Sequence, residues 1–229
     1  MKQKLGMKAN RAELFSRFGI LLIFALVVLV ASLVSNRFLS TDNILSVFTQ
    51  CTVIGVLSCG MTMLIVSGNT DLSAGSGVAL AGVVCALVIN TSGSWVLAVL
   101  ATVAVMLLTS ALQGILVSYC ARYIYATGGN SEAATAAGIN VKLMILFAYL
   151  YMGVCTALAG IMLAARTNSG QPTAAQAYEF DAIIACVLGG CGMAGGVGSV
   201  AASLIGALTI GVINNCMNLV GVSPYYQSI

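Results

Sequence analysis

Charged residues are scarce in this sequence, and histidine is absent. Only 7% of the 229 residues are charged, whereas 60% are hydrophobic. A soluble domain carries about 25% charged residues. A soluble fold of this length is therefore excluded, and lipid must surround most of the chain. The lack of histidine removes the commonest general base and metal ligand, which argues against a membrane-embedded enzyme.

Cysteine is plentiful, but its placement does not indicate disulfides or a metal site. Eight cysteines are present. All of them lie within apolar stretches except Cys120, which lies at the edge of one, and no CxxC motif occurs. Such residues behave as small buried hydrophobes, with disulfide or metal roles as the weaker alternatives. We expect no cofactor and no metal.

The charges are clustered, and the first cluster is basic. Five of the nine basic residues precede residue 18, and basic flanks face the cytoplasm. The net charge of +3 is therefore not a nucleic-acid signal. A secretory signal peptide is the competing interpretation of residues 1–35, but its apolar core is about 7–15 residues long, shorter than the run here. We expect 1–17 to be a cytoplasmic basic segment and 18–229 to form one transmembrane domain.

Apolar runs of about 20 residues, the length that spans a bilayer, predict an all-α polytopic transmembrane helix bundle of about six to seven spans. The runs lie at 18–36, 44–66, 73–90, 95–119, 142–165 and 199–221. A seventh run, 181–194, is short and rich in glycine, which predicts a broken or partial span. Counting crossings from a cytoplasmic N-terminus places 121–140 inside and 166–181 outside, in agreement with the positive-inside rule.

Small residues recur at four-residue spacing in two of the runs. Such faces let helices approach closely in lipid, and we interpret them as packing faces rather than as pore linings. They comprise Thr156, Gly160 and Ala164 in one run and Ser203, Ala207 and Gly211 in another, which continues to Asn215. Asn214 and Asn215 are polar within an apolar span. They are either interhelical hydrogen-bond partners or residues of a solute pathway.

The polar segment 121–140 reads ARYIYATGGNSEAATAAGIN and predicts a short, capped helix between two spans. The asparagine or the serine can serve as its N-cap, and the glutamate then lies in the first turn, where the helix dipole favours a carboxylate. The last glycine can end the helix in the left-handed conformation. A helix this short needs a docking partner to be stable, although an ordinary connecting loop is the alternative. The candidate residues are Asn130, Ser131, Glu132, Ala133, Ala134 and Gly138.

The segment 67–76 reads SGNTDLSAGS and carries a lone carboxylate. Asp71 is the only charge between Asp42 and Arg122. Asp71 followed by Ser73 can cap the start of the third helix. The alternative is a broken-helix site on a solute path, because an intramembrane carboxylate needs a partner or water.

A third segment, 171–199, is rich in glycine toward its end. Its glycines between 189 and 198 predict a flexible strip in close backbone contact with its neighbours. This strip is not a P-loop, because no GK[ST] follows it.

The three segments together resemble the permease subunits of ABC importers in the ribose/monosaccharide family. Residues 121–139 are similar to the pattern GRYIYAIGGNxEAAxxxGI, and 67–76 are similar to SGGIDLSxGS. Residues 171–199 are similar to QPTxGxxYELDAIAAVVLGGTSLxGGxGS. The resemblance covers nearly all of the chain after the first helix.

This chain departs from the family in two ways. Family members carry further spans between the regions that match 113–117 and Arg122, so an internal deletion is expected here. A loss of two spans would preserve the predicted topology. The family also has a final apolar helix beyond the part that matches residues 227–229, so the chain is expected to be truncated at its C-terminus.

The resemblance implies a membrane-spanning permease subunit of an ATP-driven (ABC) importer for a monosaccharide such as ribose, in the bacterial plasma (inner) membrane. The implied partners are an ABC ATPase subunit, which would receive the short helix of 121–140, a second permease subunit in a homo- or heterodimer, and an extracytoplasmic sugar-binding protein. No Walker motif is present, so this subunit is not expected to be an enzyme, and ATP hydrolysis belongs to the partner.

Two alternative functions remain open. An ion-coupled secondary transporter usually needs intramembrane ionisable groups, and Asp71 is nearly the only candidate. A non-functional, truncated remnant of a sugar permease is the other. Under the leading hypothesis, the candidate pathway residues are Asp71, Ser73, Asn214 and Asn215.

Overall fold

The computed structural model describes residues 19–120, 135, 138 and 140–223. Seven helices can be followed in this part of the chain, in the order that the apolar runs predict. They are α1 (Gly19–Val34), α2 (Thr41–Val66), α3 (Ala74–Ser92), α4 (Trp95–Cys120), α5 (Val141–Thr167), α6 (Tyr178–Leu188) and α7 (Val200–Val220). Five of them, α2, α3, α4, α5 and α7, are long and apolar enough to cross a membrane. The prediction of an all-α polytopic bundle is confirmed.

Polar caps explain where two of the long helices begin. The Ser40 hydroxyl accepts a hydrogen bond from the Asn43 backbone N–H at 3.4 Å, so α2 begins at Thr41, three residues before the apolar run. The side chain of Asn140 accepts from the Leu143 N–H at 3.2 Å and caps α5 in the same way. Each cap supplies an acceptor to a first-turn N–H that has no partner inside the helix.

Helix α5 is the centre of the bundle, because α2, α3 and α4 all pack against it. Its predicted small-residue face meets α3. A Cβ atom at Gly160 would lie only 2.6 Å from the Val78 carbonyl oxygen and 2.9 Å from the Gly82 nitrogen. Glycine at position 160 therefore allows the two backbones to touch, which is the close approach that small residues permit between helices in lipid.

The second small-residue face lies on α7 and meets α2. The Ser203 hydroxyl accepts a hydrogen bond from the Thr62 hydroxyl of α2 at 2.8 Å, and Gly211 lies against the Cys51 sulfur of α2. Ala207 on the same face is 1% exposed. This face packs inside the bundle, as predicted.

Neighbouring contacts define the relative directions of the helices. Gly77 lies beside Thr156, and Gly82 lies beside Gly160, so α3 and α5 run in the same direction. The Ser118 hydroxyl near the end of α4 donates to the Lys142 carbonyl at 3.4 Å, so α4 runs opposite to α5. These relative directions agree with the predicted order of crossings.

The predicted partial span is the 11-residue helix α6. It begins three residues before the predicted run and ends at Leu188, with Gly189 as its C-cap. The loop that follows returns to the end of α2, where the Gly196 N–H donates to the Val66 carbonyl at 2.9 Å. Between α5 and α6, the outer loop predicted at 166–181 is shorter, because α5 continues to Thr167 and α6 already begins at Tyr178.

Candidate functional site

Helix α3 begins near the middle of the bundle rather than at its end. Its fourth residue, Gly77, lies beside Thr156, which is close to the midpoint of α5. At 1.5 Å per residue, Thr156 lies about 22 Å from one end of α5 and about 16 Å from the other. The connection between α2 and α3, residues 67–73, therefore lies within the thickness of the bundle. An interrupted helix of this kind exposes backbone and polar side chains at membrane depth, where they need a cavity or a partner.

A hydrogen-bond relay joins the segment 67–73 to α4. The amide nitrogen of Gln113 donates to the Ser73 hydroxyl at 2.7 Å, and that hydroxyl donates to Asp71 Oδ1 at 2.6 Å. The Ser73 backbone N–H also donates to Asp71 Oδ1, at 2.8 Å. The carboxylate thus accepts hydrogen bonds from both the hydroxyl and the backbone N–H of Ser73, the residue that precedes α3, and these bonds hold it in one orientation. Asp71 therefore binds Ser73, the N-cap residue of α3, and the Ser73 side chain itself forms no cap hydrogen bond with the first turn.

The second oxygen of the same carboxylate is open to a cavity. Asp71 Oδ2 accepts no hydrogen bond from the described residues, yet every fully buried side-chain oxygen or nitrogen in this part of the chain has a partner. Oδ2 therefore reaches accessible space. Asp71 itself is 8% exposed and lines a cavity of about 240 Å³. The other polar residues of the lining are Ser73, Ser76, Thr109, Ser110, Gln113 and Thr156.

A second cavity lies on the other side of the first turn of α3. It has a volume of about 230 Å³. The Glu179 carboxylate lines it and occupies the place that a Cβ atom would take at Gly75, while the Ala175 carbonyl oxygen lies 2.7 Å from that place. Ser76 lines both cavities. The segments 67–76 and 171–199, which are far apart in sequence, therefore meet at the start of α3.

The predicted pathway residues separate into two groups. Asp71 and Ser73 lie together at the first cavity, whereas Asn215 forms a reciprocal pair with Asn43 of α2. Each amide nitrogen donates to the other residue's amide oxygen at 2.9 Å. Asn215 is thus an interhelical hydrogen-bond partner, one of its two predicted roles, and Asn214 beside it is half-buried. This pair lies at the end of α2 remote from Asp71.

The predicted docking helix lies mostly outside the described residues. Asn130, Ser131, Glu132, Ala133 and Ala134 belong to the part that is not described, so the structure does not test them. Gly138 is described. Its φ is +81°, and its N–H donates to the Thr135 carbonyl at 3.0 Å. This is the left-handed conformation in which glycine ends a helix.

Sequence reasoning missed the polar residues that α4 and α5 contribute to the first cavity. Thr109, Ser110 and Gln113 lie on α4, and Thr156 lies on α5. The sequence predicts Thr156 on a packing face, and Thr156 does contact Gly77 there. On α4, positions 109, 110 and 113 are spaced to share one helix face, and this spacing is the signal that was available. Nothing in the sequence alone shows that the face meets Asp71.

Comparison with known proteins supplies the class. Residues 121–229 match the family profile described as the permease component of the branched-chain amino acid transport system. The ribose import permease protein RbsC of Escherichia coli K12 is 30% identical over 293 residues, which cover 96% of this chain and 91% of the relative. RbsC of Haemophilus influenzae is 32% identical, covering 90% of this chain and 87% of the relative. The L-arabinose transport system permease protein AraH of Escherichia coli K12 is 27% identical, covering 95% and 87%. No solved structure matches this chain.

The fold and these relatives define a multi-pass membrane permease of the sugar-importing kind. This chain belongs to the family of sugar permease subunits of ABC importers. Its alignment with the Escherichia coli ribose permease also supports the expected internal deletion. The 293 aligned positions contain 96% of a 229-residue chain, or about 220 residues, so about 73 positions lie opposite gaps in this chain.

Proposed function

We propose that this chain is the membrane-spanning permease subunit of an ATP-driven importer that moves a monosaccharide such as ribose across the bacterial inner membrane. The observation that carries the proposal is the convergence of polar groups around the interrupted start of α3. Asp71, Ser73 and Gln113 meet there within the thickness of the bundle. Polar groups at this depth are costly unless they serve a partner or a pathway.

The chemistry of the first cavity suits a polyhydroxylated solute. Carboxylate and amide oxygens accept hydrogen bonds from sugar hydroxyls, while serine and threonine hydroxyls both donate and accept. The volume of about 240 Å³ corresponds to about eight water molecules at 30 Å³ each, the scale of one small solute. Ribose and L-arabinose, the sugars named for the relatives, are solutes of this chemical class.

The proposed pathway begins with Asp71 and Ser73, and it includes Asn214 and Asn215 nearer the other end of the bundle. In an alternating-access cycle, a sugar would exchange its water hydrogen bonds for bonds to these groups. Asp71 is already held by Ser73, whose hydroxyl is held in turn by Gln113, so little side-chain freedom would be lost when a sugar binds.

The energy source in this proposal is a partner subunit. The segment 130–138 would form a short cytoplasmic helix that docks on an ABC ATPase, with Glu132 in its first turn and Gly138 at its end. The permease would pair with a second permease subunit, and it would receive sugar from an extracytoplasmic binding protein. The left-handed backbone of Gly138 supports a helix end at the predicted position.

Copurification tests the docking segment. Replacing Ala133 and Ala134 together with arginine should abolish recovery of the cognate ATPase, because two guanidinium groups bring bulk and unpaired charge into a packed contact. Arginine is a good helix former, so the helix should survive. Replacing the same two residues with serine is the matched control and should retain the ATPase. Full recovery with the arginine variant would contradict docking by this segment.

Reconstitution separates the proposal from its alternatives. Proteoliposomes that contain the permease, the ATPase and the binding protein should take up radiolabelled ribose when ATP is supplied to the nucleotide-binding side, without an ion gradient. Uptake that needs a proton or sodium gradient and no ATP would indicate a secondary transporter. Absence of uptake under both conditions would indicate a remnant without transport activity.

A further inference from the structure

We propose that the first turn of α3 is a charge filter, in which Asp71 and Glu179 admit neutral polyhydroxylated solutes and exclude anionic ones such as sugar phosphates and sugar acids. The inference rests on the proposed function, because it assigns a selectivity to the same pathway. Ser76 lies between the two parts of the filter, because it lines the cavity of Asp71 on one side and the cavity of Glu179 on the other.

The two carboxylates beside Ser76 indicate that this turn faces water. Its side chain is exposed, and its hydroxyl donates to the Ser73 carbonyl at 2.7 Å. Ser76 lies one residue before Gly77, which contacts the middle of α5. A carboxylate on each side of an exposed serine at this depth cannot face lipid tails without a large free-energy cost. The two cavities are therefore neighbouring parts of one polar passage.

The resident carboxylates already occupy a place that would attract an anion. The N-terminus of a helix has free N–H groups and a partial positive charge, so it binds phosphates and carboxylates. At α3, Asp71 accepts the Ser73 N–H, and the Glu179 carboxylate lies against Gly75. The partial positive charge at this end of the helix is therefore already compensated. An incoming anion would be repelled by the two negative charges.

No described basic residue offsets these charges. Arg37, Lys142 and Arg166 are the basic residues in the described part of the chain, and none of them lines either cavity. A cleft lined by one sign of charge, with walls of low dielectric constant, concentrates ions of the opposite sign about 10- to 1,000-fold. The same field depletes ions of like charge, whereas a neutral sugar is unaffected.

Thiol labelling of Ser76→Cys tests the filter without any need for transport. The variant is treated with a cationic and an anionic methanethiosulfonate of similar size. Ser92→Cys, an exposed serine at the opposite end of α3, is the matched control and corrects for the intrinsic reactivity of the two reagents. The reaction of the parent protein, which contains its own cysteines, is subtracted.

The expected result is a corrected preference of at least about tenfold for the cationic reagent at Ser76→Cys. Adding Glu179→Gln should reduce this preference, and adding Asp71→Asn as well should remove it. The single addition of Glu179→Gln leaves the Ser73 contacts of Asp71 intact, so it remains informative if the double change disturbs folding. Equal corrected rates in the presence of both carboxylates would overturn the filter. If neither reagent reacts at Ser76→Cys while Ser92→Cys is labelled normally, the proposal that Ser76 lines a water-filled polar passage is contradicted.

The experiments distinguish a failure of the charge filter from a failure of the proposed importer function. ATP-dependent ribose uptake with equal labelling rates would contradict the filter and leave the importer proposal in place. A cationic preference without ATPase capture or ribose uptake would contradict the importer proposal and leave an acidic passage.

Discussion

Gly75 lies against the carboxylate of Glu179, although more than a hundred residues separate them in the chain. The contact joins two glycine-containing motifs at the point where α3 begins inside the bundle. The Ala175 carbonyl closes the same place from the other side, 2.7 Å from the position of a Cβ atom. Position 75 therefore tolerates no side chain unless the chain around Glu179 moves.

Gly75→Ala should lower the thermal stability of the purified permease in detergent. The new methyl group would displace both the Glu179 carboxylate and the Ala175 backbone, and overpacking of this kind costs about 1–3 kcal/mol. Gly192→Ala is the matched control, because a Cβ atom there would be 3.7 Å from its nearest neighbour, an ordinary contact. Size-exclusion chromatography after heating measures the midpoint temperature of thermal denaturation for each variant. Equal midpoint temperatures for the two variants would contradict the close contact at Gly75.

Gly160→Leu should reduce the yield of folded permease far more than Leu158→Ala. A leucine at position 160 would force α5 away from the α3 backbone, whereas Leu158 is 41% exposed and its truncation leaves the helix contact intact. The measurement is the monodisperse fraction recovered from membranes at equal expression. If the two variants give the same fraction, the α3–α5 contact is not the tight one described above.

Asn215→Leu should destabilise the permease by about 0.6–1.7 kcal/mol, the usual range for interhelical hydrogen bonds in membranes. The change breaks both hydrogen bonds to Asn43. Asn214→Leu is the control and should have a smaller effect. In a double-mutant cycle, Asn43→Leu combined with Asn215→Leu should cost less than the sum of the single changes. Strict additivity would show that the two amides do not interact.

Removing the middle of the relay should impair transport while leaving assembly intact. Ser73→Ala deletes the hydroxyl that joins Gln113 to Asp71, and hydrogen bonds to a charged group are worth about 1.5–3 kcal/mol. We expect ribose uptake to fall about tenfold or more, with unchanged ATPase copurification. Ser92→Ala, at the other end of α3, should leave uptake at the parent level. Parent-level uptake by Ser73→Ala would remove the relay from the pathway.

Cysteine labelling should place residue 132 on the cytoplasmic face. Glu132→Cys is predicted to react with a membrane-impermeant reagent only after the membrane is opened, because 121–140 lies on the inner side by the positive-inside rule. Ser94→Cys, in the short connection between α3 and α4, should react in intact spheroplasts. The reverse pattern would invert the predicted topology.

Hydropathy located the spans well, and polar chemistry explains the shifts at their ends. The run predicted from residue 44 begins as a helix at Thr41, because Ser40 supplies a cap that hydropathy does not detect. The short run predicted from 181 begins at Tyr178. Its first turn is acidic, and a hydropathy scan counts acidic residues as loop even where a helix N-terminus favours them.

The site was predictable only in part. Asp71 and Ser73 were identified because a lone carboxylate in an apolar region is unusual, and they are adjacent in the chain. Gln113 was not identified, because a polar residue on a long apolar helix becomes informative only when its neighbour on another helix is known. The same limit applied to Asn215, whose hydrogen bonds to Asn43 are visible only in the structure.

The sequence by itself determined that this protein lies in a membrane, the order of the helices in the described part of the chain, and two of the faces on which they pack. These properties depend on composition and on local periodicity. Both are decisive in lipid, because backbone polar groups there must be satisfied within helices and small residues let helices pack closely. Only the tertiary structure decided that α3 begins halfway through the bundle, and that Asp71 and Glu179 lie on opposite sides of its first turn. These relationships depend on how α4, α5 and α6 pack around α3, and no local pattern encodes contacts between segments a hundred residues apart.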